Sequence, residues 1–154
     1  MDKRTVEDAD PHAIAKACAE TMWAEDRASK ALGMTIEKIA PGEAMLSMTV
    51  RADMTNGHGI CHGGFIFTLA DSTFAFACNT YDQRTVAQQC AVTFIEPVRE
   101  GEALTAHAIE RNRAGRGGIY DVTVRDSGNN VVAEFRGHSR TITGALLTTD
   151  KIKR

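Results

Sequence analysis

Asn56-Gly-His-Gly-Ile-Cys-His-Gly-Gly-Phe-Ile-Phe-Thr-Leu-Ala-Asp71 is a glycine-rich loop that runs straight into an apolar helix carrying one carboxylate. Glycines leave backbone amides bare at the helix start, where the first N–H groups lack intrahelical acceptors and the macrodipole favours negative charge. That suits a carbonyl oxygen under attack. Asp71 lies among Phe65, Ile66, Phe67, Leu69, Ala70, Phe74 and Phe76, where an ionised group is costly to bury without a partner or a purpose. Thr68, Asp71 and Ser72 fall at i, i+3 and i+4, so one narrow polar stripe marks a helix over about 63–79 whose other faces require burial.

On either side the pattern changes. Asp10-Pro11 is an N-cap followed by proline at the first helical position, and Ile14, Ala17, Cys18, Met22 and Ala24 continue at near-helical spacing, which predicts a helix over about 11–31. Met34–Ala40 and Glu43–Val50 read as strands joined by the turn Pro41-Gly42. Beyond the central helix, Thr85–Glu96, Ala103–Arg111, Ile119–Arg125 and Val131–Ile142 are alternating or β-branched runs between turn clusters. In the last of these, Val131, Ala133 and Phe135 alternate with Val132, Glu134, Arg136, His138 and Arg140, as in a half-buried antiparallel strand. The order gives an α+β domain over 1–154: about six antiparallel strands curled over a central apolar helix, an extra N-terminal helix, and a polar, basic tail over 147–154 expected to fray.

Composition excludes several functions. A net charge of −2 over 154 residues gives no footprint for nucleic acid. No run approaches the roughly 18 apolar residues of a membrane span, and the charged N-terminus lacks an apolar leader core, so a cytoplasmic protein without membrane partners is expected. Cys18, Cys61, Cys78 and Cys90 form no CxxC pair and read as reduced thiols. His58, Cys61 and His62 crowd too closely on one loop to converge on an ion, and no metal is expected. Cys61 reads as a small apolar residue rather than a nucleophile.

The arrangement resembles the hot-dog fold, and most closely the phenylacetic-acid-degradation (PaaI-type) acyl-CoA thioesterases. The likeness runs from about residue 30 to 143 and is carried by Asn56, His62-Gly63-Gly64, Asp71, Val92-Thr-Phe-Ile-Glu-Pro97 and Gly117-Gly-Ile-Tyr-Asp121. It implies hydrolysis of an arylacetyl- or medium-chain acyl-CoA to free acid and coenzyme A, with no cofactor beyond the coenzyme A of the substrate. It also implies roles: the Gly63 amide polarises the thioester carbonyl, Asn56 orients thioester or water, and Asp71 is base or nucleophile. Some relatives carry a serine where Ala87 stands beside Gln88 and Gln89, so a water held by serine is not expected.

Helix arithmetic adds a constraint. Gly63 and Asp71 are eight residues apart, about 12 Å along one helix, too far to act on one carbonyl. Two copies with antiparallel central helices would instead bring each Asp71 to the other's Gly63. The resemblance agrees, implying dimers paired into homotetramers.

The bland readings stand beside these. Asp71 also fits a solvent stripe or an N-cap for a helix restarting at Ser72. His62 fits a loop support as well as an acid-base role. Arg111, Arg113 and Arg116 with Gly64, Gly117 and Gly118 suit coenzyme A phosphates, while the arginine hairpin also fits a solvated turn. Arg136, His138 and Arg140 share a face and suit an anion or water. Phe65, Phe67, Phe74, Met45 and Met48 fit an aryl pocket or plain core. A non-catalytic acyl-CoA sensor and a hydratase or dehydratase of the same fold are the competing functions.

Overall fold

The Asp10 side chain accepts a hydrogen bond from the His12 N–H, and Pro11 opens helix α1, Pro11–Glu25. The computed structural model describes residues 9–147. A single helix over 11–31 is not what forms. The chain breaks at Asp26, which ends α1 and caps a short second helix, α2, Arg27–Ala31. The cause is local: the Asp26 carboxylate accepts the Ser29 N–H at 2.9 Å and its hydroxyl at 2.7 Å, bonds that compete with a continued helix. Ser29 is buried, and its hydroxyl lies 2.9 Å from that of Ser72, so the break docks α2 onto the central helix.

Strands β1, Thr35–Ala40, and β2, Glu43–Thr49, form the expected hairpin. Gly42 at its turn has φ +71°, and a Cβ there would stand 2.8 Å from both Glu110 Oε2 and the Tyr81 hydroxyl, so only glycine fits. The central helix, α3, spans Gly63–Cys78 and is unbroken, which removes the N-cap reading of Asp71. Four strands follow: β3, Thr85–Phe94; β4, Ala103–Ala114; β5, Gly117–Arg125; and β6, Val131–Thr141. All pair antiparallel in the order β1-β2-β4-β5-β6-β3, with β1 and β3 at the edges.

Two strand readings change. β4 and β5 run past Arg111 and Ile119 until Ala114 faces Gly117, so the supposed arginine turn is mostly strand and only Gly115 and Arg116 cross over. Val132, expected on the outer face, is buried, because the register shifts between Val124 and Arg125 and turns it inward.

The sheet curls around α3. Ala44, Leu46 and Met48 of β2, Leu104, Ala106 and Ala108 of β4, and Tyr120, Val122 and Val124 of β5 form a buried cluster with Leu69, Phe74 and Phe76 of the helix. Phe74 packs against Tyr120 and Phe135 at ring separations of 5.6 and 5.8 Å. Edge strand β3 runs antiparallel to α3, with Phe94 against Gly63 and Cys90 against Asp71. Four strand residues and eight helix residues both cover about 12–13 Å, so the two stay in step. Leu147, placed in the fraying tail from sequence, is instead buried, and its N–H bonds Asp82 Oδ1 at 2.8 Å; residues 148–154 lie outside the described part.

Candidate active site

The loop before α3 is tied at both ends. Asn56 closes it as an Asx turn: its Oδ1 accepts the His58 and Ile60 N–H groups at 3.0 and 3.4 Å, and its backbone N–H bonds the Ile60 carbonyl at 2.8 Å. Cys61 donates to the Val98 carbonyl and His62 to the Met54 carbonyl, each at 2.7 Å, which locks the loop against the chain leaving β3. His62 is the N-cap of α3, its Nδ1 accepting the Gly64 N–H at 2.9 Å. In this arrangement His62 supports the helix start through Nδ1, and the bond does not involve its Nε2.

Gly63 N–H, first in the helix, has no acceptor among the described residues. It borders a cleft of about 560 Å³ lined by Asn56, His62, Gly63 and Gly64 together with Ile60, Ile66, Phe67, Phe94, Ile95 and Glu96. The lining is mostly apolar. Phe94 and Ile95 are half exposed there, and Phe94 lies flat enough on Gly63 that a Cβ would meet its ring at 2.7 Å. The structure thus gathers four of the expected site residues, Asn56, His62, Gly63 and Gly64. Of the five side chains weighed for an aryl pocket, only Phe67 borders this cleft: Phe74 and Met48 are core, Phe65 packs edge-on to His62, and Met45 faces outward with His107. The wall from Phe94 to Val98 escaped local reading because nothing in its pattern says which loop it will meet.

Asp71 is not in that cleft. It is half-buried, with the Cys90 thiol donating to Oδ1 at 3.8 Å. Burial raises its pKa above the ordinary aspartate value, opposed by the Cys90 contact. Its stripe neighbours are satisfied elsewhere, Thr68 by the Gly64 carbonyl and Ser72 by Ser29. Cys90 itself is pushed up to about 11, by burial first and by Asp71 second, and burial also raises Cys61, so neither is a ready thiolate. Among the described residues, no three His, Cys, Asp or Glu side chains come together to hold a metal.

The arginines lie on another part of the sheet. Arg111 and Arg136 both bind Asp121: Arg111 Nε donates to Oδ2 at 3.0 Å, and Arg136 donates through Nε at 2.7 Å and Nη2 at 2.9 Å. Arg113 stacks on the Tyr81 ring, its Cζ 3.5 Å from the centroid, and Arg116 Nε donates to the Thr141 carbonyl at 3.3 Å. Gly117 and Gly118 pair opposite Ala114 and Arg113.

The family model described as the thioesterase superfamily matches residues 58–133, from the glycine loop to the start of β6. Over 128 residues the chain is 41% identical to the acyl-coenzyme A thioesterase PaaI of Escherichia coli, covering 83% of this chain and 91% of that relative. The chain belongs to the thioesterase superfamily, in its PaaI-type branch. The solved structure of the E. coli PaaI protein from the phenylacetic acid degradation operon matches this PaaI-type fold with a TM-score of 0.87 at 40% identity, over 88% of this chain and 99% of that one. A phenylacetic acid degradation protein PaaI of Thermus thermophilus matches at 0.74 and 38%, over 76% and 100%. The hot-dog expectation stands, and a PaaI-type thioesterase is a hydrolase of thioester bonds.

Proposed function

We propose that this acyl-CoA thioesterase cleaves arylacetyl- or medium-chain acyl-CoA to free acid and coenzyme A, in sites shared between two subunits. The carrying observation is the division along α3: Gly63 opens on an apolar cleft while Asp71, about 12 Å further along the helix, is outside it. The edges of the sheet favour a second copy as the missing half. β1 carries Glu37 and Lys38 and a register shift between Ile36 and Lys38, whereas β3 has no charged residue over ten positions and leaves Val86 and Phe94 45% and 50% exposed. Such an edge invites antiparallel pairing with its own copy. That pairing would bring two α3 helices alongside.

In the shared site the Gly63 N–H receives the carbonyl oxygen as it gains charge, a contact whose loss costs about 2.7–4 kcal/mol elsewhere. Asn56 Nδ2, which no acceptor takes among the described residues, orients water or the thioester. The partner subunit's Asp71, made more basic by burial, removes a proton from the attacking water and later returns it to the leaving thiolate. The apolar walls receive the acyl group. No cofactor is needed beyond the coenzyme A of the substrate, and the four free cysteines agree with action in a reducing compartment such as the cytoplasm.

Mixing two dead variants tests the sharing. Asp71→Asn and Gly63→Val, each inactive, should regain about a quarter of wild-type release of coenzyme A after subunit exchange, because half the dimers then hold one intact site. No recovery despite exchange sinks the shared site. Light scattering on the same samples reads the dimer and the tetramer that belong to this proposal.

A further inference from the structure

The walls of the cleft beside Gly63 are of one kind, with a single exception. Ile60, Ile66, Phe67, Phe94 and Ile95 make them apolar, and Glu96 is the one acidic residue of the lining. Its carboxylate is exposed and has no hydrogen-bond or ion-pair partner among the described residues. The backbone beneath it is held on both sides. The Ile95 and Glu96 N–H groups donate to the Val132 carbonyl at 2.9 and 3.3 Å, and two residues on, the Val98 carbonyl accepts the Cys61 N–H at 2.7 Å. Pro97 between them confines Glu96 to extended backbone. Glu96 therefore keeps its place on the wall, between the end of β3 and the loop that Asn56 closes.

The cleft is thus apolar in surface but not neutral. At Gly63 the start of α3 favours negative charge, where the carbonyl oxygen gains it. On the wall that receives the rest of the acyl group, Glu96 does the reverse. A charge set among apolar walls is screened less than one on open surface, so a second anion brought into the cleft is repelled and a cation is held. Selectivity then comes from a penalty on the wrong ligand as much as from contact with the right one. We propose that Glu96 sets the charge selectivity of the acyl group: acyl groups whose far end is a carboxylate are turned away, and those with a neutral or cationic far end are accepted. The inference rests on the acyl-CoA reading above, which seats the acyl group between these walls.

Three thioesters of one shape test this: phenylacetyl-CoA, 4-carboxyphenylacetyl-CoA and 4-(aminomethyl)phenylacetyl-CoA. The readout is the ratio of kcat/KM for the amine substrate to that for the carboxylate substrate. Glu96→Gln keeps the size of the side chain and removes its charge, so wild type should exceed this variant in that ratio about 5- to 30-fold, the range of one attracted and one repelled exposed charge. Glu96→Lys should carry the ratio further down by a similar factor, with the carboxylate substrate now ahead of phenylacetyl-CoA. Raising the salt concentration should shrink the wild-type ratio. The same ratio in all three enzymes overturns the proposal. So does an equal loss for all three substrates with a smaller species in light scattering, which would make Glu96 an assembly contact. If wild type hydrolyses none of the three, the thioesterase reading fails separately, and calorimetric titration with the same thioesters decides the selectivity: amine bound more tightly than carboxylate, reversed in Glu96→Lys, supports it, and equal or absent binding overturns it.

Discussion

The two stations of α3 are built on opposite principles. At Gly63 the helix begins in an open, mostly apolar cleft, its N–H without an acceptor among the described residues and its loop stapled by Asn56 and His62. At Asp71 a carboxylate is pressed half-buried against β3, with one weak thiol contact, and its pKa rises. The first station is preorganised to receive charge; the second holds charge at a cost to folding. The shared site proposed above uses both, because one helix cannot present both to the same carbonyl.

The largest effect is expected at the second station. Asp71→Asn should lower kcat about 10²–10⁴-fold, the usual range for a lost general base, as measured by release of coenzyme A. Because the folded-state pKa of Asp71 is raised, the folded protein binds its proton more tightly than the unfolded chain, and stability from this group falls as pH rises through the window above the ordinary aspartate value. The ionised form at neutral pH is therefore destabilising, and Asp71→Asn should raise the thermal midpoint by about 2 °C. Wild-type activity should fall on acidification at a pH above the ordinary aspartate value. An inactive variant with a lowered midpoint would instead mark Asp71 as structural.

Next in size, a charged β3 edge should separate the stations. Gln89 and Ala91 are exposed, and Gln89→Lys with Ala91→Lys places like charges where two copies of the strand would meet. Light scattering should show a smaller species, with activity falling in step; full activity in a monomer breaks the comparison. Gly63→Ala is smaller again, about tenfold in kcat, below the about 10²–10³ of deleting a donor because alanine keeps its N–H. The loss comes from the Phe94 ring, which the new Cβ would meet at 2.7 Å. Adding Phe94→Ala should recover part of it, and a double-mutant cycle without coupling would clear Phe94 of any part in the loss.

The smallest effect lies away from both stations. Asp121 is held below the usual carboxylate range, chiefly by Arg136 and then by Arg111. Its contribution is present above the unfolded-state pKa and disappears as pH falls through the lowered one. Asp121→Asn should lower the thermal midpoint at pH 7 by at most about 4 °C, with no difference at strongly acid pH and no change in kcat.

Much of this site is legible in the residues. Gly63 and Gly64 announce a helix start by their bareness, Asp71 stands out because its neighbours are apolar, and eight residues of spacing already deny them a common substrate. Other features left no local trace. His62 caps α3 through a ring nitrogen that ordinary capping preferences do not favour. Asp26 divides a pattern that looks like one helix, since the Ser29 bonds that favour the break differ little in energy from continued helix. Val132 turns inward because one extra residue in a strand exchanges the faces.

By itself the chain of residues determined what depends on near neighbours: the Asp10 cap, the alternation of the strands, the apolar helix, the turn at Pro41-Gly42 and the bare amides before Phe65. Chain pairing over long separations determined the rest. It set Phe94 on Gly63 and Cys90 on Asp71, closed the cleft with the segment leaving β3, and laid Arg113 on Tyr81 through a bulge at Arg111. The reason is physical: periodicity records which face of an element is buried, whereas the identity and register of its partner are set only when the whole sheet closes around the helix.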